Sequence, residues 1–164
     1  MPVPSLLKTE VKELLNKSIQ HELYASNLYK HIAANLQRLG LFGGQKFYEK
    51  ESADEITHYY ILRDYINEMG DVASMPAIEP IDVSVNGFGS ALQVSYETEK
   101  ALLDHYVSIY EQVEDEMEDC ITAQFLLQFI EIQRKAVGEY GDLISRFERN
   151  PMDVFEFDEY LSEK

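Results

Sequence analysis

The sequence predicts an all-α protein: a four-helix bundle with one long crossover and a short fifth C-terminal helix. Three observations lead there. Four stretches of roughly 25–35 residues are rich in helix formers and too long for strands; at ~1.5 Å rise per residue each spans on the order of 40 Å. The turns after the first and third stretches are short, which makes their neighbours antiparallel. Between the second and third lie residues 70–89, carrying Pro76, Pro80, Gly87 and Gly89, enough chain to run the length of a bundle.

Each element follows from local signals. Pro2 and Pro4 precede Ser5, which reads as the N-cap of a first helix over 5–39. Gly40, Gly43 and Gly44 mark a turn, and a second helix runs over 45–69 to Gly70. The crossover holds short β-branched pieces such as Ile81-Asp82-Val83. Ser90 caps a third helix over 90–117, and a fourth runs over 122–149. Asn150-Pro151 reads as the cap and first residue of a last helix, 152–162. Residues 1–164 read as one domain, within the usual ~100–200 residues.

Composition narrows the function. With 14 basic and 30 acidic residues the chain carries a formal charge of −16. Nucleic acid and anionic membrane surfaces are therefore disfavoured as partners, while cations are favoured. The single cysteine, Cys120, excludes an internal disulfide and fits a reducing compartment. The opening Met-Pro-Val-Pro-Ser shows no secretory pattern, and no apolar run approaches the ~18 residues of a membrane span. A cytoplasmic location is expected.

The informative residues are polar ones inside the apolar seams. Helix one reads Leu7, Val11, Leu14, Ser18, Glu22, Ala25, Tyr29, Ile32, Leu36, so Glu22 falls where core belongs. Helix two reads Tyr48, Glu51, Glu55, His58, Leu62, Tyr65, Met69, with three ionisable positions in succession. Helix three carries Glu99 between Ser95 and Leu102, and helix four carries Gln133 between Phe129 or Ile130 and Ala136. A lone seam Glu is ordinarily an edge position, and an isolated Glu-x-x-His arises by chance. Four helices each carrying a polar group near mid-length is a different observation.

Buried carboxylates are costly and repel one another, and no Lys or Arg occupies a seam position near them. A multivalent cation supplies the missing charge. Glu55-x-x-His58 puts an oxygen and a nitrogen one turn apart on one face, a chelating arrangement. Mixed carboxylate and imidazole ligands suit iron, manganese or zinc better than calcium or magnesium.

This constellation resembles the ferritin-like di-iron carboxylate proteins, in which two helices each give a Glu and two give a Glu-x-x-His. Glu22, Glu55-x-x-His58 and Glu99 match; the second Glu-x-x-His is replaced by Gln133 and Ala136. Ile56 follows Glu55, so the haem-ligating Met of bacterioferritins is missing, and no haem is expected. The asymmetric set is closest to non-haem ferritins of the heavy-chain-like and bacterial types, over nearly the whole chain. The similarity lies in Glu22-Leu-Tyr-Ala-Ser-Asn-Leu-Tyr29, Asp54-Glu55-Ile-Thr-His58 and Gln133-Arg-Lys-Ala136-Val-Gly-Glu-Tyr-Gly-Asp142.

The resemblance implies a ferroxidase and iron store: Fe²⁺ oxidised with O₂ or H₂O₂, and ferric mineral kept inside a homo-oligomeric cage, typically of 24 subunits. It implies a first iron site of Glu22, Glu55 and His58. A second shares Glu55 and adds Glu99, with Gln133 alongside and Tyr29 behind the ligands. Glu51, with Glu55 and Asp54, suggests a third iron position between the di-iron site and the cavity, with Glu131 to complete it. The competing readings are a cage-forming storage subunit without catalysis, another di-iron oxidase or peroxidase, and a metal-free helical adaptor.

The remaining signals are weaker. His21, His31 and His105 lie off or beside the seams and read as solvated or interfacial. Cys120 reads as an exposed loop thiol. Glu111, Glu114, Asp115, Glu116, Glu118 and Asp119 read as a solvated acidic turn, or more sharply as a cation pore. Phe155, Tyr160 and Leu161 lie outside the four-helix core and call for a neighbouring subunit to bury them, as in the fifth helix that lines the family's four-fold axis.

Overall fold

The computed structural model describes residues 3–149 and 153–164. The helices are α1 (Thr9–Arg38), α2 (Phe42–Glu68), α3 (Phe88–Glu111), α4 (Cys120–Arg149) and α5 (Val154–Ser162), with a π-helical turn, Gln112–Glu116, after α3. α1 packs chiefly on α2 and α3 chiefly on α4, so the bundle is two antiparallel hairpins.

The crossover does run the length of the bundle, laid along α1. Ser74 N–H donates to Asn16 Oδ1 (3.0 Å), Gln20 Nε2 to the Ala77 carbonyl (3.3 Å), and His31 Nε2 lies 2.7 Å from the Val83 carbonyl. The chain therefore climbs α1 before turning into α3, and α3 returns antiparallel to α1.

Several expected boundaries shift, each for a local reason. Ser5 does not cap α1; its Oγ accepts from Leu7 N–H (3.2 Å) in the lead-in, and the helix starts at Thr9. The α1–α2 turn is shorter than expected. Gly40, at φ +78°, takes the left-handed conformation that ends α1, whereas Gly43 and Gly44 already lie in the first turn of α2. Ser90 is likewise not the cap of α3. Its Oγ accepts from Asn86 N–H (3.0 Å), and the helix opens two residues earlier at Phe88. α4 begins at Cys120 because Asp119 caps it, accepting from Thr122 N–H (3.0 Å) and from Thr122 Oγ1 (2.7 Å). Cys120 is thus exposed, but on a helix.

The cap expected at Asn150-Pro151 lies outside the described residues. Among those described, Asp153 caps α5, accepting from Phe155 N–H at 2.8 Å. The fifth helix folds onto its own bundle. Phe157 and Leu161 are buried, with Phe157 edge-on to Phe88 at 4.9 Å and near Phe147 at 5.1 Å. Most of the apolar tail thus needs no neighbour; Phe155 (65% exposed) and Val154 (45%) remain uncovered.

Candidate metal centre

The seams place their polar residues as helical periodicity dictates. Glu22, Glu55, Glu99 and Gln133 are all at most 4% exposed, at mid-height on four different helices. Helix three follows its expected seam most closely, with Leu92, Ser95, Glu99, Leu102, Tyr106, Ile109 and Val113 all buried. Helix one departs slightly: Leu15, not Leu14, is the buried leucine.

Three groups converge. His58 Nδ1 lies 3.2 Å from Glu55 Oε2 and 3.4 Å from Glu22 Oε2, and one ligand atom from each residue falls within 4.8 Å of the others. Glu99 lines the same cleft as Glu55 and His58. Its Oε2 accepts from Gln133 Nε2 (2.5 Å) and its Oε1 from the Tyr29 hydroxyl. Gln133 Oε1 is buried and has no hydrogen-bond partner among the described residues, which leaves an unsatisfied acceptor on the side chain that bonds Glu99.

Tyr106 was not singled out by the sequence, yet its hydroxyl donates to Glu22 Oε1 at 2.6 Å. The pattern is reciprocal. Tyr29 follows Glu22 by seven residues on α1, and Tyr106 follows Glu99 by seven on α3. Because α1 and α3 are antiparallel, each tyrosine crosses to the other helix's glutamate. The repeated Glu-x₆-Tyr spacing is a signal the sequence carries; aromatic residues on a seam read as core, which hid it.

The electrostatics describe a cation site filled with protons. Burial raises Glu55, and the neighbouring Glu22 carboxylate raises it further. Burial also pushes Glu22 up, but hydrogen bonds from the Glu55 carboxyl, His58 and Tyr106 outweigh it and hold Glu22 below its ordinary value. Burial disfavours a charged His58, yet Glu22 and Glu55 overcome this and push it up to about 10. Burial raises Glu99 despite its bonds from Tyr29 and Gln133. Protonated His58 and shared carboxyl protons therefore balance charges that a divalent ion would balance when they leave.

Glu55, His58, Glu99 and Gln133 line one side of a cleft of about 270 Å³ that opens between α2 and α4. Glu51, Asp54, Ala136 and Glu139 form its mouth. Glu51 accepts from the Tyr140 hydroxyl (2.9 Å), and burial raises it to about 7. Asp54 is exposed at the rim. Glu131 does not line this cleft; it is exposed and pairs with Lys135 at 3.2 Å. Glu139, eight residues or about two turns further along α4, lines the cleft instead. The small Ala136 leaves the mouth open.

Of the other histidines, none is simply solvated. His31 ties the crossover, and His21 and His105 pack ring against ring. No helix among the described residues is long and apolar enough to cross a membrane.

Comparison with known proteins agrees with this architecture. A non-haem ferritin of Bacteroides fragilis is 26% identical over 166 residues, spanning 97% of this chain and 100% of that protein. A probable non-haem ferritin-like protein of Haemophilus influenzae is 27% identical over 141 residues, 86% of this chain and 85% of its own length. An open-pore ferritin of the archaeon Archaeoglobus fulgidus superposes with a TM-score of 0.91 over 96% of this chain and 99% of its own, at 22% identity. The ferritin-like domain family matches residues 12–150, and with that match the chain belongs to the ferritin family, among its bacterial non-haem members.

Proposed function

We propose that this chain is a ferroxidase that also stores iron, oxidising Fe²⁺ with O₂ or H₂O₂ at two adjacent positions inside each subunit. Iron oxidation and storage are the general business of the family. The observation that carries the finer reading is the convergence of Glu22, Glu55 and His58, with Glu99 beyond, and no Lys or Arg among the buried polar groups. In this reading Glu22, Glu55 and His58 hold the first Fe²⁺. Glu55, Glu99 and the unsatisfied Gln133 Oε1 hold the second.

Each Fe²⁺ gives one electron. Two of them reduce O₂, which takes up two protons, to H₂O₂. The protein's part is placement and charge. Tyr106 and Tyr29 fix one oxygen of Glu22 and of Glu99, leaving the others for the cations. Buried carboxylates stabilise Fe³⁺ over Fe²⁺, which favours electron loss. The second position has only Glu99 as its own carboxylate, so ferric product leaves it more readily, through the mouth formed by Glu51, Asp54 and Glu139.

Anaerobic Fe²⁺ titration followed by air tests this. Two irons per chain and a rapid ferric absorbance support the proposal; slow autoxidation alone supports a non-catalytic storage subunit. The product is kept in a closed homo-oligomer, for which 24 copies is the family's usual number. The exposed Phe155, Val154, Phe42 (64%) and Leu39 (47%) gather at one end of the bundle and suit such contacts. Light scattering should give a large single species, and a monomer at micromolar concentration would end this part of the proposal.

Glu51 and Asp54 have no role in the two-iron set, and together with Glu139 they offer a third position on the way out. Glu51→Ala is expected to leave the first fast oxidation of two irons nearly unchanged and to slow later turnovers severalfold, when iron must clear the site. Unaltered mineralisation at high iron loading, or an Fe²⁺-soaked crystal with no density beside residue 51, counts against it.

A further inference from the structure

Outside the carboxylate centre, α1 and α3 bring two histidines together on their flank. His21 precedes Glu22 and His105 precedes Tyr106, so the helical turn that sends Glu22 and Tyr106 inward leaves the two imidazoles facing each other beside the bundle seam. Their ring centroids are 4.5 Å apart with planes at 68°. With Tyr24, Thr98 and Leu102 they line a cleft of about 230 Å³, separate from the one at the carboxylate centre.

These rings keep lone pairs to spare. Ser18 Oγ lies 3.0 Å from the Leu14 carbonyl and 2.8 Å from His105 Nε2; with the hydroxyl donating to the carbonyl, His105 carries its proton on Nε2 and donates to Oγ. That tautomer leaves a lone pair on His105 Nδ1. Among the described residues neither nitrogen of His21 makes a hydrogen bond. Burial and the His21 ring push the His105 pKa down to about 4, so this imidazole is neutral at pH 7.

The spacing also suits a shared ion. Metal–nitrogen bonds of about 2.0–2.1 Å place two imidazoles on one ion with centroids roughly 4.5–5.3 Å apart, for bond angles from square to tetrahedral. Lys17 is exposed and does not line this cleft; its charge, held near Gln20 Oε1 at 3.0 Å, opposes a cation there.

We infer that His21 and His105 form a two-imidazole site for a borderline divalent cation, Cu(II) or Zn(II), distinct from the carboxylate centre. Two nitrogens with no carboxylate in the cleft rank copper above zinc and hold hard cations poorly. The chain thereby offers separate ligand chemistries to iron and to the metals that compete with it.

The chain has 4 histidines, which makes the test clean. Cu(II) is titrated into assembled, iron-free protein carrying His58→Ala, which removes the carboxylate centre's only imidazole. Electron paramagnetic resonance is expected to show one copper per chain, split by two nitrogens. Adding His21→Ala or His105→Gln should remove that splitting and weaken copper at least about tenfold, whereas adding His31→Ala should change nothing. His105→Gln retains a donor for Ser18, so circular dichroism and particle size should be unchanged in it. A two-nitrogen signal that survives His105→Gln, or no copper bound to the His58→Ala protein, overturns the proposal.

Discussion

Glu55→Ala is expected to abolish the fast phase of Fe²⁺ oxidation, slowing it by on the order of 100-fold or more, while leaving the helical fold intact. Glu55 contacts His58 at 3.2 Å, belongs with Glu22 and His58 to one ligand group, and lines the cleft with Glu99. In the proposed reading it is the carboxylate that both irons share. The iron-free variant should be about as stable as the parent, because the substitution removes a buried acid whose charged form burial and Glu22 both disfavour. What it loses is the stabilisation that bound metal confers. Melting with and without a redox-inert ion such as Zn²⁺ separates the two effects: the parent's melting temperature rises with the ion, and the variant's rises less. Stopped-flow rates near those of the parent would rule out the bridging role.

Gly43→Ala is expected to unseat the fifth helix. Asp158 of α5 reaches over the start of α2, accepting from Gly43 N–H (3.0 Å) and Gly44 N–H (2.7 Å). It thereby satisfies two amides that the first turn of a helix leaves unpaired, and sets a negative charge at the helix's positive end. This contact is possible only without side chains. A Cβ on Gly43 would lie 2.0 Å from the Asp158 carbonyl oxygen and 2.8 Å from its carbon, both backbone atoms. The helix must move, Phe157 leaves its place against Phe88 and Phe147, and Leu161 loses its burial. Overpacking of this kind costs about 1–3 kcal/mol, a fall in Tm of roughly 3–10 °C for a chain of this size. Hydrogen exchange over 154–162 should accelerate in parallel. The same substitution at Gly138 on α4 meets no atom within 4 Å, and there it should be neutral or stabilise by about 0.5–1 kcal/mol. A Gly43→Ala protein that melts within a degree of the parent would show that α5 is not seated on α2 in this way.

Much of this architecture was legible in the sequence. The four helices follow from the length of the periodic stretches, and the direction of α3 from the twenty residues that precede it, because a chain of that length spans the bundle. The buried Glu22, Glu55, Glu99 and Gln133 were legible as well. Helical repeat alone assigns a face, and a charged residue on an apolar face announces itself. Helix ends were less readable. Ser5 and Ser90 have the chemistry of caps, but their hydroxyls bond within the lead-in turns, and Gly43 and Gly44 resemble a turn although they are a docking surface for Asp158.

Other features depend on what stands across the bundle, which no single helix encodes. Glu139 rather than Glu131 borders the cleft because the pairing of α2 with α4 sets which turn meets Glu51. Tyr106 reaches Glu22 only because α1 and α3 are antiparallel at the right height. His21 and His105 are ordinary side chains 84 residues apart until that same contact sets one ring edge-on to the other. Periodicity in the sequence determined which residues turn inward, since it depends on one helix at a time. Which inward residues meet depends on the relative height and direction of two helices, set by the packing of the whole core, and that the tertiary structure alone decided.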